Sequence, residues 1–291
     1  MTSTADALAS LRQRFATISA TAALDAEILL AQVLGTNRAA LAARPGRTLA
    51  PSQAEMLETL ASRRAAGEPI AYITGRREFW SLELEVTRDV LVPRPETELV
   101  VELALAGLAR VSRPAVLDLG TGSGAIALAL ARERDDAVVT AVDASAAALA
   151  VAGRNAGKLG IGNVRFLHGS WYEPVAGRRF DAIVSNPPYV AEDDPALASL
   201  THEPRAALVA GQNGLGALAE VCDGARHCLR PGGSLIVEHG ASQGAAVREL
   251  MSNAGLIEVR THRDLAAQER VTAGTAPPQA LESPLSQEST Q

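Results

Sequence analysis

The feature that most constrains the fold is an alternation of short apolar runs and longer amphipathic segments that begins near Ala115. The apolar runs predict five buried strands, at residues 115–119, 138–142, 164–167, 180–185 and 234–237. Helical periodicity lies between them, over residues 125–134, 145–159 and 215–229. This β-α-β order predicts an α/β fold, in which a parallel sheet carries helices on both faces. Ligands of such folds bind at the carboxyl ends of the strands.

The residues before this alternation predict a separate helical unit. In residues 1–75, Leu24, Ile28 and Val33 follow helical spacing, and Gly35 stands where a helix would end. A capping box from Ser52 to Glu55 predicts another helix start. We expect this bundle to dock a substrate, because it carries no pattern typical of chemistry.

Alternation over residues 72–92 predicts strands or a hairpin. The domain boundaries predicted are 1–75, a linking hairpin and loop at 76–98, the α/β domain at 99–275, and a disordered tail at 276–291.

Composition narrows the function. The 291-residue chain has 27 basic and 33 acidic residues, a net charge of −6, whereas dedicated nucleic-acid binders usually carry a basic face. No apolar run approaches the ~18 residues of a membrane span, and the first residues lack a signal-peptide pattern. Cys222 and Cys228 face different sides of one predicted helix, so we interpret them as free thiols. We predict a cytoplasmic protein without a stable nucleic-acid partner or membrane association.

A glycine-rich segment follows the first predicted strand. Residues 118–124 read D-L-G-T-G-S-G, between that strand and a helix. Glycines there allow a tight turn close to a ligand, and a helix N-terminus offers unpaired N–H groups. Asp143 ends the next strand, where an acidic side chain can accept hydrogen bonds from both hydroxyls of a ribose. The pair predicts a cofactor that contains adenosine. The alternatives are a packing turn and a nicotinamide site, although the spacing is not the G-x-G-x-x-G of dinucleotide sites.

The segment S-N-P-P-Y at residues 185–189 follows the fourth predicted strand. Two prolines stiffen the backbone and hold Asn186 extended, which presents its amide oxygen and a neighbouring carbonyl as fixed acceptors. Such acceptors suit the methylation of a planar NH2 group, because they orient a poorly nucleophilic nitrogen and stabilise positive charge on it. Tyr189 can stack on the planar group. The alternative is a rigid turn without chemistry.

Several stretches together resemble the HemK/PrmC family, the protein-(glutamine-N5) methyltransferases that modify class I peptide chain release factors. They are residues 67–75, 78–80, 92–98 (V-P-R-P-E-T-E), the glycine loop, 186–189, 203–208 and 238–240. The resemblance implies a class I, Rossmann-like methyltransferase domain with a mostly parallel seven-stranded sheet, preceded by a small N-terminal helical domain. It implies S-adenosyl-L-methionine as the cofactor. It also implies that the methyl acceptor is the glutamine of a release-factor Gly-Gly-Gln motif, with the N-terminal bundle gripping the release factor.

The resemblance implies roles for individual residues. The cofactor would be bound by Gly120, Thr121, Gly122, Ser123, Gly124, Asp143, Trp171 and Asn186, with Trp171 against the adenine. The substrate glutamine would be bound by Asn186, Pro187, Pro188 and Tyr189, and the catalytic residues would be Asn186, Pro187 and Tyr189. Two positions depart from the family pattern. Ser170 stands where an aspartate is expected near the adenine, and Ala267 lies where a glycine is expected in a late turn.

Other functions stay open on the sequence alone. A related enzyme methylates glutamine on a ribosomal protein, and adenine-N6 nucleic-acid methyltransferases share the N-P-P-Y tetrapeptide. A cofactor-dependent oxidoreductase and a docking module without activity are alternatives from other classes. No metal is predicted, because His168 and His202 have no ligand spacing around them. We expect His239 to make a structural hydrogen bond, and Glu96 and Glu98 to cap a helix.

Overall fold

The computed structural model describes residues 2–211 and 213–278. Its first part is a bundle of five helices: α1 (Thr4–Phe15), α2 (Ala22–Leu34), α3 (Arg38–Ala43), α4 (Pro51–Ala65) and α5 (Ile70–Thr74). Phe15, Leu29 and Leu30 are fully buried in its core. Helix α2 ends at Gly35, whose φ of +57° suits glycine, so the predicted helix end is confirmed.

The start of α4 differs from the prediction. Pro51 is already helical, and Ala50 is the residue that precedes the helix. Gln53 Oε1 accepts a hydrogen bond from the Ala50 N–H at 3.0 Å. The predicted capping box at Ser52 was therefore wrong. Proline fits the first helical position because no N–H donor is needed there.

A short hairpin joins the bundle to the rest of the chain. Strand β1 (Arg76–Phe79) pairs antiparallel with β2 (Leu82–Glu85). Trp80 and Ser81 form the turn with positive φ values of 50° and 59°, as a tight hairpin turn of two residues requires. The predicted hairpin is confirmed over this shorter range. Val86, Val90 and Val92 follow β2 in a loop. They are buried in a small cluster with Ala71, Tyr72, Ala148 and Val151.

The rest of the chain forms a seven-stranded sheet with helices on both faces. Its strands are β3 (Ala115–Leu119), β4 (Val138–Asp143), β5 (Val164–His168), β6 (Phe180–Ser185), β7 (Leu229–Glu238), β8 (Ile257–Arg263) and β9 (Glu269–Thr275). Its helices are α6 (Glu98–Leu108), α7 (Ala125–Glu133), α8 (Ala146–Leu159), α9 (Gly216–Cys228) and α10 (Gly244–Asn253). The strand order is β5-β4-β3-β6-β7-β9-β8, and β9 runs antiparallel to both neighbours. The predicted α/β fold with a mostly parallel seven-stranded sheet is confirmed.

Alternate residues of the central strands face two separate cores. Val116 and Val184 belong to the core that includes α6 and α7, whereas Leu117 and Ile183 belong to the core that includes α9 and α10. Helix α7 follows β3 and α9 follows β6. The helices that follow these two neighbouring strands therefore pack on opposite faces of the sheet. Such a switch leaves a crevice at the carboxyl edge between the two strands.

Several details of the second core bear on the predictions. Cys222 and Cys228 are buried there as free thiols. Strand β7 begins at Leu229, earlier than predicted, because Leu229 pairs with Phe180 ahead of an irregularity in register.

None of the helices in the described part of the chain has the length and apolar character needed to span a bilayer.

The last described segments include the position that departs from the family pattern. Ala267 lies in the turn between β8 and β9 with φ of +60°, a conformation that favours glycine. Asp264 accepts hydrogen bonds from the N–H groups of Ala266 and Gln268, each at 2.9 Å, and so holds this turn. Ala276 is buried and its N–H donates to the Gly233 carbonyl. Residues 279–291, most of the predicted disordered tail, lie outside the described residues.

Candidate active site

The loop between β3 and α7 brings backbone groups to the crevice. Gly120, Gly122 and Gly124 have positive φ values of 72°, 55° and 85°, which favour glycine. A Cβ on Gly124 would lie 3.0 Å from Leu128 Cδ1 and 3.2 Å from Ala152 Cβ, so close packing beneath the loop also requires glycine there. The positive φ values therefore account for all three glycines of this loop, and close packing is a second requirement at Gly124.

Asp118, in β3, holds the loop from below. Its Oδ2 accepts hydrogen bonds from the Thr121 hydroxyl at 2.7 Å and the Ala127 N–H at 3.2 Å. The residue is fully buried, and burial raises its pKa to about 7. Among the described residues, Asp118 Oδ1 is buried without a hydrogen-bond partner. A buried acceptor of this kind is usually completed by a bound polar group or water.

Asp143 holds the loop from the end of the neighbouring strand. Its Oδ2 accepts the Gly122 N–H and its Oδ1 accepts the Ser145 N–H, each at 2.8 Å. Ser145 in turn caps α8 by accepting the Ala148 N–H at 3.1 Å, as the sequence predicts. Burial raises the pKa of Asp143. Each carboxylate oxygen has a further lone pair, so this side chain can also accept hydrogen bonds from a ligand.

A cleft of about 390 Å³ opens beside the loop. Its walls include seven of the predicted cofactor-binding residues: Gly120, Thr121, Gly122, Ser123, Asp143, Trp171 and Asn186. Of the predicted substrate-binding residues, Asn186 and Pro188 line it, whereas Pro187 and Tyr189 do not, and neither does Gly124. Ser170 lines the cleft beside Trp171. The structure thus brings most of the predicted site to one place, and the role of each residue stays a prediction.

Asn186 begins the N-P-P-Y loop, directly after β6. Its Nδ2 donates to Thr97 Oγ1 at 3.1 Å. The Thr97 hydroxyl donates to Glu238 Oε2 at 2.6 Å, and the Tyr189 hydroxyl donates to Glu238 Oε1 at 3.1 Å. Burial raises the pKa of Glu238 to about 7 and holds the pKa of Tyr189 above its usual range. These four side chains form one hydrogen-bonded chain, which runs from Asn186 and Thr97 in the wall of the cleft to the buried Glu238 and on to Tyr189.

The block at residues 93–98 forms one wall of the cleft, although it was predicted only as part of a linking loop. Pro93, Arg94 and Thr97 line the cleft. Arg94 forms an ion pair with the buried Glu203, whose Oε2 also accepts the Val92 N–H at 3.2 Å. Sequence reasoning missed this contact because the paired residues lie 109 positions apart. The only signal in the sequence was that residues 92–98 and 203–208 both belong to the stretches that resemble the HemK/PrmC family.

His239 has the structural role that was expected. It is fully buried, its Nε2 lies 2.8 Å from Thr272 Oγ1, and its Nδ1 lies 2.9 Å from the Gly240 carbonyl. Burial lowers its pKa. The predicted structural hydrogen bond is confirmed.

The two glutamates near α6 behave differently from each other. Glu98 lies in the first turn of α6, where a negative charge suits the helix dipole as expected, but its carboxylate accepts the Trp80 N–H of the hairpin turn at 2.8 Å and makes no hydrogen-bonded cap. Glu96 is exposed.

In residues 2–211 and 213–278, no cluster of three potential metal ligands occurs.

The groups in and under the cleft fit a cofactor that contains adenosine. Asp143 offers acceptors for ribose hydroxyls, and the Trp171 ring offers a flat apolar surface for a base. The unpartnered Asp118 Oδ1 is an acceptor that the described protein atoms leave incomplete. With the strand order above, these features define the protein as a class I methyltransferase.

Comparison with known proteins supports this class and adds the family. The family model described as "Methyltransferase small domain" matches residues 98–261, and that described as "PrmC N-terminal domain" matches residues 6–75. A methyltransferase structure from Pyrococcus furiosus shares the fold with a TM-score of 0.53 at 19% identity, covering 76% of this chain and 99% of that chain.

Relatives at much higher identity carry one name. The "Release factor glutamine methyltransferase" of Salmonella typhimurium is 51% identical over 256 residues, covering 87% of this chain and 92% of the relative. A Xylella fastidiosa protein of the same name is 48% identical over 256 residues, covering 87% of this chain and 93% of the relative. The chain therefore belongs to the release factor glutamine methyltransferase family. The HemK/PrmC resemblance seen in the sequence is confirmed.

Proposed function

We propose that this chain transfers the methyl group of S-adenosyl-L-methionine to the side-chain amide nitrogen of the glutamine in the Gly-Gly-Gln motif of class I peptide chain release factors. The observation that carries the proposal is that Asn186 lies in the same cleft as the glycine loop. An acceptor for an amide therefore stands beside a site for an adenosine cofactor. Membership of the family supports the reaction and the substrate class.

The glycine-loop side of the cleft binds the cofactor in this proposal. S-adenosyl-L-methionine, when bound, supplies an electrophilic methyl group on a sulfonium centre. Asp143 accepts hydrogen bonds from ribose hydroxyls, Trp171 packs on the adenine, and the backbone of residues 120–124 approaches the ligand without side-chain obstruction at its glycines. In its ionised form, the Asp143 carboxylate in the wall of the cleft favours a cationic ligand.

The Asn186 side orients the glutamine. Because Asn186 Nδ2 donates to Thr97, its Oδ1 is turned away from Thr97 and can accept one hydrogen of the substrate NH2 group. A backbone carbonyl of the N-P-P-Y loop accepts the other hydrogen, and Pro188 contributes an apolar wall. Two acceptors align the nitrogen lone pair and stabilise positive charge as the C–N bond would form and the S–CH3 bond would break, which would leave S-adenosylhomocysteine as the neutral thioether product. The proton then leaves to water, so no general base is needed before transfer.

The N-terminal bundle serves as a docking surface for the release factor in this proposal. Glu68 of the bundle pairs with Arg63 of α4 and with Arg88 of the linking loop after β2, each at 2.8 Å. The two guanidinium groups hold the pKa of Glu68 down at about 2.

Mass spectrometry of the release-factor peptide tests the proposal. Purified protein with S-adenosyl-L-methionine should add one methyl group to the motif glutamine, and Asn186→Ala should lower kcat by about 10²- to 10³-fold. The exposed Asn253→Ala, at the end of α10, is the matched control and should keep full activity. An unmodified release factor would refute the substrate. Methylation of a ribosomal protein or of adenine in an oligonucleotide would identify one of the alternatives.

A further inference from the structure

Thr97 and Glu238 are buried polar residues beside Asn186 to which the proposed reaction assigns no contact with the substrate. Thr97 precedes α6 and is 4% exposed, and Glu238 ends β7 and is 1% exposed. Their side chains meet at 2.6 Å although 141 positions separate them. Burying a carboxylate is unfavourable, and an apolar pair of similar volume would often stabilise a core better. Stability alone is therefore a weak reason for this pair.

The hydrogen bonds around Glu238 run in one direction. An ionised carboxylate can only accept, so Thr97 and Tyr189 both donate to it. Thr97 has a single hydroxyl hydrogen, and that hydrogen is committed to Glu238. Its oxygen can then only accept, and the donor it accepts from is Asn186 Nδ2 at 3.1 Å. The orientation of the Asn186 amide is thus set by Glu238 through Thr97.

Two charged side chains, from β9 and from the 93–98 block, act on Glu238. Arg270 of β9 attracts the carboxylate, whereas Glu96, in the 93–98 block, repels it. Arg270 Nη1 also contacts the His239 carbonyl at 3.4 Å, which keeps the guanidinium near the end of β7. Tyr189 and Thr97 add two hydrogen bonds to the ionised form. The charge of Arg270 and these two hydrogen bonds oppose the cost of burying the carboxylate, whereas Glu96 adds to that cost.

We infer that Thr97 and Glu238 are positioning residues, which hold Asn186 with Oδ1 toward the substrate and so select a glutamine amide over a glutamate carboxylate. This inference rests on the proposed function. In the opposite orientation, Asn186 would face the substrate NH2 with its own NH2. Two donors would then meet, and a carboxylate would be the better partner for Asn186.

Substitutions at Thr97 test the inference against a packing role. Thr97→Val keeps the shape and removes the hydroxyl, and it should lower kcat by about 100-fold while the dissociation constant of S-adenosylhomocysteine stays unchanged. Thr97→Ser restores the hydroxyl and should recover kcat to within about threefold of the wild type. Thr140→Val is the matched control, because Thr140 is a buried threonine of β4 whose hydroxyl accepts from Arg178 at 3.1 Å.

A second readout measures selectivity directly. The competitor is a release factor whose motif glutamine is replaced by glutamate. The measured quantity is the ratio of its inhibition constant to the KM of the unaltered release factor. In Thr97→Val, this ratio should be at least about tenfold lower than in the wild type. An unchanged ratio, a kcat within threefold of wild type, or a loss that Thr97→Ser does not restore would overturn the inference. If wild-type protein transfers no methyl group at all, the proposed function fails instead.

Discussion

The two sides of the cleft are built in different ways. On the glycine-loop side (Gly120–Gly124, Asp143 and Trp171), Asp143 is held by two backbone N–H groups within the same β-α-β unit. On the Asn186 side (Asn186–Tyr189, Arg94, Thr97, Glu203 and Glu238), side chains from distant segments hold one another. Local backbone geometry thus shapes one side, and long-range side-chain contacts shape the other.

This difference separates two kinds of sensitivity. A change in backbone freedom should damage the glycine-loop side, because its φ values are positive at three glycines. A change in side-chain chemistry should damage the Asn186 side, where donors and acceptors must match in order. The following experiments test whether the two sides respond separately.

The largest expected effect belongs to Gly122→Val. A Cβ at Gly122 meets no atom within 4 Å, so the cost comes from its φ of +55° and from a side chain placed in the cleft that Gly122 lines. We expect S-adenosylhomocysteine to bind at least about 100-fold more weakly by calorimetry. Gly153→Ala, on the exposed surface of α8, is the control and should keep full binding. Binding within tenfold of wild type would contradict the importance of backbone geometry on this side.

An intermediate effect is expected from pH. The pKa of Glu238 lies at about 7, above its usual value of 4.5, so the protonated form dominates below that pH. A protonated Glu238 can donate and reverse the hydrogen-bond chain, so kcat should fall about tenfold from its plateau to pH 6. Glu238→Gln should remove this dependence.

The same profile distinguishes the two sides of the cleft. Asp118, under the glycine loop, also has a pKa of about 7. If its protonation controlled kcat, the fall at low pH would persist in Glu238→Gln. Calorimetry of S-adenosylhomocysteine across the same pH range would then show a matching change in affinity. A fall in kcat with constant affinity assigns the pH dependence to the Asn186 side.

The smallest expected effect on activity is that of Arg94→Ala. It leaves the buried Glu203 carboxylate without its ion-pair partner, and because Arg94 is partly exposed we expect a loss of about 2 kcal/mol in the free energy of unfolding. The melting temperature should fall by about 5 °C, with kcat reduced only a few-fold. Arg226→Ala breaks an exposed pair with Asp223 and should change stability by less than about 0.5 kcal/mol. Equal losses in both variants would contradict a special role for the buried pair.

The glycine-loop side could be predicted from the sequence because its contacts are local. The loop and Asp143 lie in one β-α-β unit, so strand periodicity and glycine positions place them at the same edge. Ser145 as the cap of α8 follows from the same local pattern. The helices and strands of the α/β domain that were predicted lie within a few residues of their observed positions, apart from the start of β7, whereas α10 and the last two strands were not predicted.

The Asn186 side could be predicted only in part. The rigid N-P-P-Y loop was visible in the sequence, but the chain from Asn186 through Thr97 to Glu238 depends on contacts across 89 and 141 positions. No periodicity encodes such pairings, because they arise when the 93–98 block packs over the sheet edge. The hydrogen bond between Glu98 and Trp80 was missed for the same reason, since Trp80 lies in the hairpin.

The positions of Trp80 and Trp171 have a spectroscopic consequence. They are the two tryptophans of the chain; Trp171 lines the cleft, and the Trp80 indole N–H donates to Glu133 at 2.8 Å beside the hairpin that joins the bundle to the sheet. Replacing either one with phenylalanine leaves a single emitter. One variant then reports ligand entry, and the other reports strain at the joint between domains, without any attached dye.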